Sequence, residues 1–267
     1  MNQSLRPVVV VTGGSEGIGL AIALRFAALG RDLLLVARRE LVLEAAAAQI
    51  RAAHPVRVDI LSLDLTVGDA AARIEAALAG GEAYAEIIVN NAGIGLCGSF
   101  ADQGSSDIDR LLALNITALT RIIRHFAPGM QARRRGGFIN VASLGGYAPG
   151  PQQAVYYASK AYVVSLSEAL AHELRPYGVR VTVIAPGPVE TKFHDRMGAE
   201  TALYRRLLPS PRASTVARWA VHGYSLGMIV VLPGLLTFVA FATLRLLPHR
   251  ILVPAIGFLL RPRGIGR

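Results

Sequence analysis

Apolar positions along the first two thirds of the chain follow two alternating rhythms. Residues 8–11, 33–36, 86–89, 138–142 and 179–184 form short runs rich in Val, Ile and Leu, and 56–63 alternates apolar with polar. These predict strands, most of them buried on both faces. Helical apolar spacing covers 18–29 before Gly30, 40–53, 69–78 before Gly80-Gly81, 106–134, and 153–177 before Gly178. Strand and helix alternating at this spacing predict an α/β fold, a doubly wound parallel sheet of about seven strands with helices on both faces. There is no repeat and no low-complexity linker, so residues 1–267 read as a single domain, with 188–267 as a substrate-binding and C-terminal region within it.

Beyond Pro186 the rhythm changes. Residues 223–244 carry no charge and Arg245 closes them, which is long enough for a membrane-spanning helix. Pro233-Gly234 interrupts the run, and the sheet still needs a seventh strand. The favoured reading is therefore a strand over 228–232, a turn, and an apolar helix over 235–247. Most of the +10 net charge lies here too: from Arg196 onward there are ten arginines and one acid, Glu200. No nucleic-acid motif accompanies them, so a nucleic-acid partner is not expected. The basic apolar stretch 235–260 predicts a peripheral contact with a membrane or partner, or a lid over a pocket for a lipophilic substrate.

Hydrophobic residues make up 52% of the chain, which excludes a disordered chain. The single cysteine, Cys97, excludes a disulfide framework and fits a reducing compartment. Residues 1–6 are polar and the apolar run at 8–11 is too short for a secretory signal, so a cytoplasmic location, with membrane association through the tail, is expected. Six histidines show no metal-ligand spacing, and no metal is expected.

Candidate chemistry clusters at the predicted strand ends. Thr12-Gly13-Gly14-Ser15-Glu16-Gly17-Ile18-Gly19 follows the first strand and opens the first helix. Glycines there allow a tight turn and close backbone approach, and the helix N-terminus offers free N–H groups to a pyrophosphate. Asp64-Leu65, Asn90-Asn91-Ala92-Gly93 and Pro186-Gly187-Pro188-Val189-Glu190-Thr191 follow later strands. Tyr156 and Lys160 stand at i and i+4 on one helix face; Tyr157, at i+3 from the lysine, is a rival. A nearby ammonium favours a phenolate and lowers a tyrosine pKa. Ser143 follows the fifth strand without an adjacent histidine, so a hydrolase triad is unsupported.

Together these segments resemble, in order, the short-chain dehydrogenase/reductase family over roughly residues 7–191. The resemblance implies a Rossmann-type fold and a nicotinamide cofactor bound by Gly13, Ser15, Glu16, Gly17, Ile18 and Gly19. It adds Asp64 and Leu65 at the adenine, Asn91, Ala92 and Gly93 beside the nucleotide, and Pro186, Gly187, Val189 and Thr191 at the carboxamide and diphosphate. It implies Tyr156 as proton donor and acceptor, Ser143 on the substrate oxygen, Lys160 on the nicotinamide ribose, and Asn115 holding a water in a relay to Lys160. Tyr157 becomes a packing residue or a pocket wall. At the end of the second strand, where an acid would bind a ribose 2′-hydroxyl, the chain has Ala37-Arg38-Arg39. A guanidinium grips a 2′-phosphate, so Arg38, and after it Arg39, predict NADP(H).

The expectation is thus an NADP-dependent reductase or dehydrogenase that interconverts a small-molecule carbonyl and an alcohol, forms a homo-oligomer, and acts on a lipophilic substrate. The alternative is a nucleotide-binding regulator on the same scaffold without turnover.

Overall fold

In β1 (Arg6–Thr12), Val8 and Val10 turn to one face, Val9 and Val11 to the other, and all four are buried. Successive side chains on a strand point to opposite faces, so a strand with this pattern needs a helical layer on each side. The computed structural model describes residues 5–204 and 209–261, and it supplies both layers. With β2 (Asp32–Ala37), β3 (Val58–Ser62), β4 (Ala83–Asn90), β5 (Gly136–Val141), β6 (Val179–Ile184) and β7 (Val230–Val231), β1 forms a parallel sheet in the order β3-β2-β1-β4-β5-β6-β7.

On one face, α1 (Gly17–Ala27), α2 (Glu40–Ala53) and α8 (Ala213–Ser225) pack Ile22, Leu43 and Val216 against Val9, Leu33 and Ile139. On the other, α3 (Ala70–Gly80), α5 (Leu119–Arg133) and α6 (Ala154–Leu174) pack Ile74, Ile122 and Val163 against Val10, Leu34 and Phe138. The chain runs outward from β1 to β3, then restarts on the other side at β4. The crevice at the C-terminal ends of β1 and β4 is therefore a topological switch point, where ligands bind in such sheets.

The expected helix over 106–134 is interrupted. α4 (Ser105–Leu112) passes into one π-helical turn (Ala113–Ala118) before α5 continues. Such an extra residue in a turn re-aims a side chain, and here that side chain is Asn115.

The tail divides as the favoured reading expects. α8 ends at Ser225, β7 is only two residues long, and Gly234 takes a φ of 89° before α9 (Leu235–Leu246). A further helix, α10 (His249–Leu260), follows; α7 (Phe193–Arg196) is a single turn after β6. No helix among the described residues is long and apolar enough to cross a membrane. Of the basic tail, Arg205, Arg206, Arg263 and Arg267 lie outside the described residues.

Candidate active site

The glycine loop is built for close approach. Gly13 has a φ of +63°, and a Cβ there would lie 2.8 Å from Asn91 Nδ2. A Cβ at Gly19 would lie 2.3 Å from the Gly13 carbonyl oxygen, so α1 can start this near β1 only with glycine at that position. Glu16 precedes α1 in an extended conformation without capping it by a side-chain bond. The first N–H groups of α1 thus keep their capacity for an anion. Ser15, Gly17 and Ile18 line the cleft, while Gly19 lies behind it.

Strand ends are latched across the switch point. Asn91 Nδ2 donates to the carbonyls of Thr12 (3.1 Å) and Gly13 (3.0 Å), and Thr12 Oγ1 accepts from the backbone N–H of Asn91 and Ala92. Asn90 donates to Asn140, and Asn140 donates to Ser167. This buried polar ladder fixes the spacing of β1, β4, β5 and α6, since each of its members would be costly to leave unpaired. The asparagine segment therefore steadies the sheet as well as bordering the cleft.

Tyr156, Ser143 and Lys160 meet at the ends of β5 and α6. Ser143 precedes a short turn, where its Oγ accepts from the Gly145 N–H at 3.1 Å. Tyr156 is buried, and burial pushes its pKa up to about 12, opposed by a hydrogen bond with the Ser143 side chain. The Lys160 ammonium donates to the Val141 carbonyl at 2.9 Å and lies 5.8 Å from the Tyr156 ring centroid; burial brings its pKa down to about 8. The expected lowering of the tyrosine pKa by the lysine is not seen in the chain alone, because burial dominates both groups. Tyr157 instead packs against Gly145 and Gly150 and forms part of the wall, with its pKa pushed upward chiefly by burial.

Asn115 is buried one layer behind. Its amide clamps the Ile94 backbone, with Nδ2 donating to the carbonyl and Oδ1 accepting the N–H, both at 2.9 Å, and Nδ2 also donates to Ser159 Oγ. Its Oδ1 and Lys160 Nζ converge on Gly93, where a Cβ would meet them at 3.1 and 3.6 Å. Of all the expected site residues, only Asn115 and Gly19 do not line the one cleft of about 1190 Å³.

The chain matches the family model for short chain dehydrogenase over residues 7–202. It belongs to the short-chain dehydrogenase family. It is 36% identical over 204 residues to a sulfoacetaldehyde reductase of Chromohalobacter salexigens, covering 74% of this chain and 80% of that one. A short-chain dehydrogenase from Sphingobium yanoikuyae in complex with NADPH superposes with a TM-score of 0.80 at 35% identity, covering 89% of this chain and 92% of that one. A family member from Burkholderia phymatum in complex with NAD superposes with a TM-score of 0.82 at 25% identity, over 99% and 100% of the two chains. As a member of the family, the chain is an NAD(P)-dependent oxidoreductase.

In this short-chain dehydrogenase the basic rim differs from the simplest expectation. Arg39 is held by the Glu16 carboxylate, which Arg196 also grips at 2.7 Å and Lys192 approaches at 4.0 Å. Burial raises the Glu16 pKa, but Arg196 and Arg39 outweigh it and hold the carboxyl below its usual range. Arg38 makes no ion pair among the described residues and lines the cleft. Asp64 Oδ1 accepts from the Thr66 N–H and hydroxyl, which hold its carboxyl below the usual range against burial; Arg38 and Arg110 add to the effect. Asp64 thus caps a turn, and Leu65 beside it is buried at the cleft edge.

At the opposite rim, Pro186 accepts from the Leu144 N–H at 2.8 Å, tying the loop after Ser143 to the segment after β6. Gly187, Val189 and Thr191 follow in the cleft wall. Leu252, Ile256 and Leu260, spaced every four residues on α10, pack with Tyr156, Met197 and Tyr204 to close the cleft. The inner face of the tail thus lines the cleft.

Several residues here escaped the sequence reading. Asn140 and Ser167 sat inside apolar runs with no motif to mark them. Arg196, like the His194–Tyr204 hydrogen bond of 2.8 Å beside it, follows the last motif, where no strand spacing guides the eye. The pairing of Arg196 with Glu16 spans 180 positions and had no local signal.

Proposed function

We propose that this short-chain dehydrogenase interconverts an apolar carbonyl compound and its alcohol with NADP(H). The observation that carries the reading is the convergence of Ser143, Tyr156 and Lys160 with the glycine cradle of α1 in one cleft whose far wall is the apolar face of α10. The cradle fits a nucleotide diphosphate, because Gly13 and Gly19 let the loop and α1 pack tightly against Asn91, and Ser15, Gly17 and Ile18 at the α1 N-terminus line the cleft.

On this reading Gly13, Ser15, Glu16, Gly17, Ile18 and Gly19 form the diphosphate cradle. Asp64 and Leu65 border the adenine, and Asn91, Ala92 and Gly93 the adjoining ribose. Pro186, Gly187, Val189 and Thr191 hold the carboxamide end, and Lys160 the nicotinamide ribose. When bound, the reduced nicotinamide supplies a hydride to the carbonyl carbon. Ser143 and Tyr156 direct their hydroxyls at the carbonyl oxygen and stabilise the charge that builds there. Tyr156 gives that oxygen its proton, completing the alcohol, and the proton is restored by way of Lys160 and a water held at Asn115. Oxidation runs the same steps backward.

Preference for NADP(H) is supported by Arg38 directly after β2, where residues 37–39 hold no acid to bind a ribose 2′-hydroxyl. Arg39 contributes only once released from Glu16. An apolar substrate is supported by Leu244, Leu252 and Ile256 along the cleft.

The test is to titrate NADPH and NADH by fluorescence and then screen short and long apolar ketones for NADPH oxidation. Tighter NADPH binding with turnover on an apolar ketone supports the reading. Binding without turnover of any carbonyl supports a nucleotide-binding regulator instead.

A further inference from the structure

The tail helices have two faces, and the outer one is unlike an ordinary protein surface. α9 has no buried residue and no acid, yet Leu235, Leu236, Phe238, Val239 and Leu246 stand exposed, Leu246 at 81% and Leu235 at 77%. On α10 the inner stripe closes the cleft while Ile251 and Phe258 face outward, at 54% and 63% exposure. So many large apolar side chains on adjoining helices mark a surface that is covered by something else.

The charges beside it select the occupant. Arg245, Arg250 and Arg261 are exposed around this face, and the sequence from 201 to 267 holds no acidic residue. A second copy seated here about a two-fold axis would set this patch against itself, with no carboxylate on the same stretch to receive the arginines. Apolar side chains flanked by arginines instead match the interface of an anionic bilayer, where acyl chains take the leucines and phenylalanines and headgroup phosphates take the guanidinium groups.

We propose that the outer face of α9 and α10 docks this enzyme peripherally on an anionic membrane surface. The inner faces of the same helices line the cleft through Leu244, Leu252 and Ile256, so a single helical layer separates the bilayer from the cleft. A lipid-dissolved carbonyl compound would reach Tyr156 past these helices without crossing bulk water. That last step rests on the proposed reaction; the docking does not.

The test is co-sedimentation of the full-length protein with vesicles of phosphatidylcholine alone, or with phosphatidylglycerol at three to one, at low and high salt. We expect at least ten-fold greater recovery with the anionic vesicles, reduced by salt. The triple variant L236E/F238E/L246E, whose side chains do not line the cleft, loses that recovery while keeping its thermal midpoint and its NADPH affinity. Arg250→Glu, a single exposed change, weakens binding several-fold and flattens the salt dependence. Equal recovery with and without anionic lipid, or undiminished binding by both variants, overturns the proposal. So does a shift in oligomeric state on triple substitution without vesicle binding by the wild type, which assigns the face to a second copy. Because recovery is read without turnover, its failure leaves the carbonyl–alcohol reading standing, and the reverse.

Discussion

Lys160 donates its ammonium proton to the Val141 carbonyl at 2.9 Å, which fixes the lysine at the end of β5 beneath the Tyr156 ring. The same burial that positions the ammonium penalises its charge. Its pKa falls from 10.5 to about 8 in the folded chain, so between pH 8 and 10.5 the unfolded chain binds the extra proton and stability rises with pH. Below pH 8 the buried charge costs on the order of 3 kcal/mol. Lys160→Met therefore raises the thermal midpoint of the free protein most at neutral pH, and the gain shrinks as pH approaches 10. A pH-independent difference between the two proteins contradicts this account of the lysine.

Arg38 is expected to carry the 2′-phosphate. A charge-assisted hydrogen bond is worth about 1.5–3 kcal/mol, so Arg38→Ala weakens NADPH binding roughly ten- to hundred-fold. NADH affinity stays within about two-fold. Fluorescence titration of both nucleotides checks it; a variant that keeps its preference for NADPH refutes the role.

Glu16 holds Arg39 and Arg196 on the same rim. Replacing it by Gln removes a carboxylate near the expected phosphate and frees both guanidinium groups, so Glu16→Gln binds NADPH several-fold more tightly and with a steeper salt dependence. Weaker binding in the variant would show that Glu16 contributes to the nucleotide site directly, not by restraining its arginines.

Gly19 has no room for a side chain. A methyl at that position would lie 2.3 Å from the Gly13 carbonyl oxygen and 2.4 Å from Asn91 Nδ2, so α1 must move away from the loop. Gly19→Ala lowers stability by about 1–3 kcal/mol, as overpacking does. It also weakens nucleotide binding at least ten-fold. Calorimetry and titration on the same preparation separate the two effects.

The sheet was readable because its strands are buried on both faces, so Val8–Val11 and the corresponding runs announce themselves by composition. The glycine loop and the Tyr156–Lys160 pair stood out through the order of motifs that resembles the family, and the roles given them rest on that resemblance. What escaped depends on long-range geometry. The π-helical turn that inserts Asn115 leaves no trace in a 3.6-residue pattern. The Glu16–Arg196 pair depends on how the segment after β6 folds back over α1. The division of 223–244 was anticipated from Pro233-Gly234, but β7 is shorter than the expected strand over 228–232 and pairs only with Val183 and Ile184 at the end of β6.

Deuterium transfer tests the central claim, proton transfer by Tyr156 coupled to hydride transfer from NADPH, most directly. With NADPH deuterated at nicotinamide C4 and an apolar ketone, the wild type places deuterium on the carbinol carbon of the product. The Tyr156→Phe variant, with nucleotide affinity and thermal midpoint unchanged, forms that product at least a hundred-fold more slowly, in line with the loss of a general acid. Label transfer at the wild-type rate in Tyr156→Phe would contradict the account.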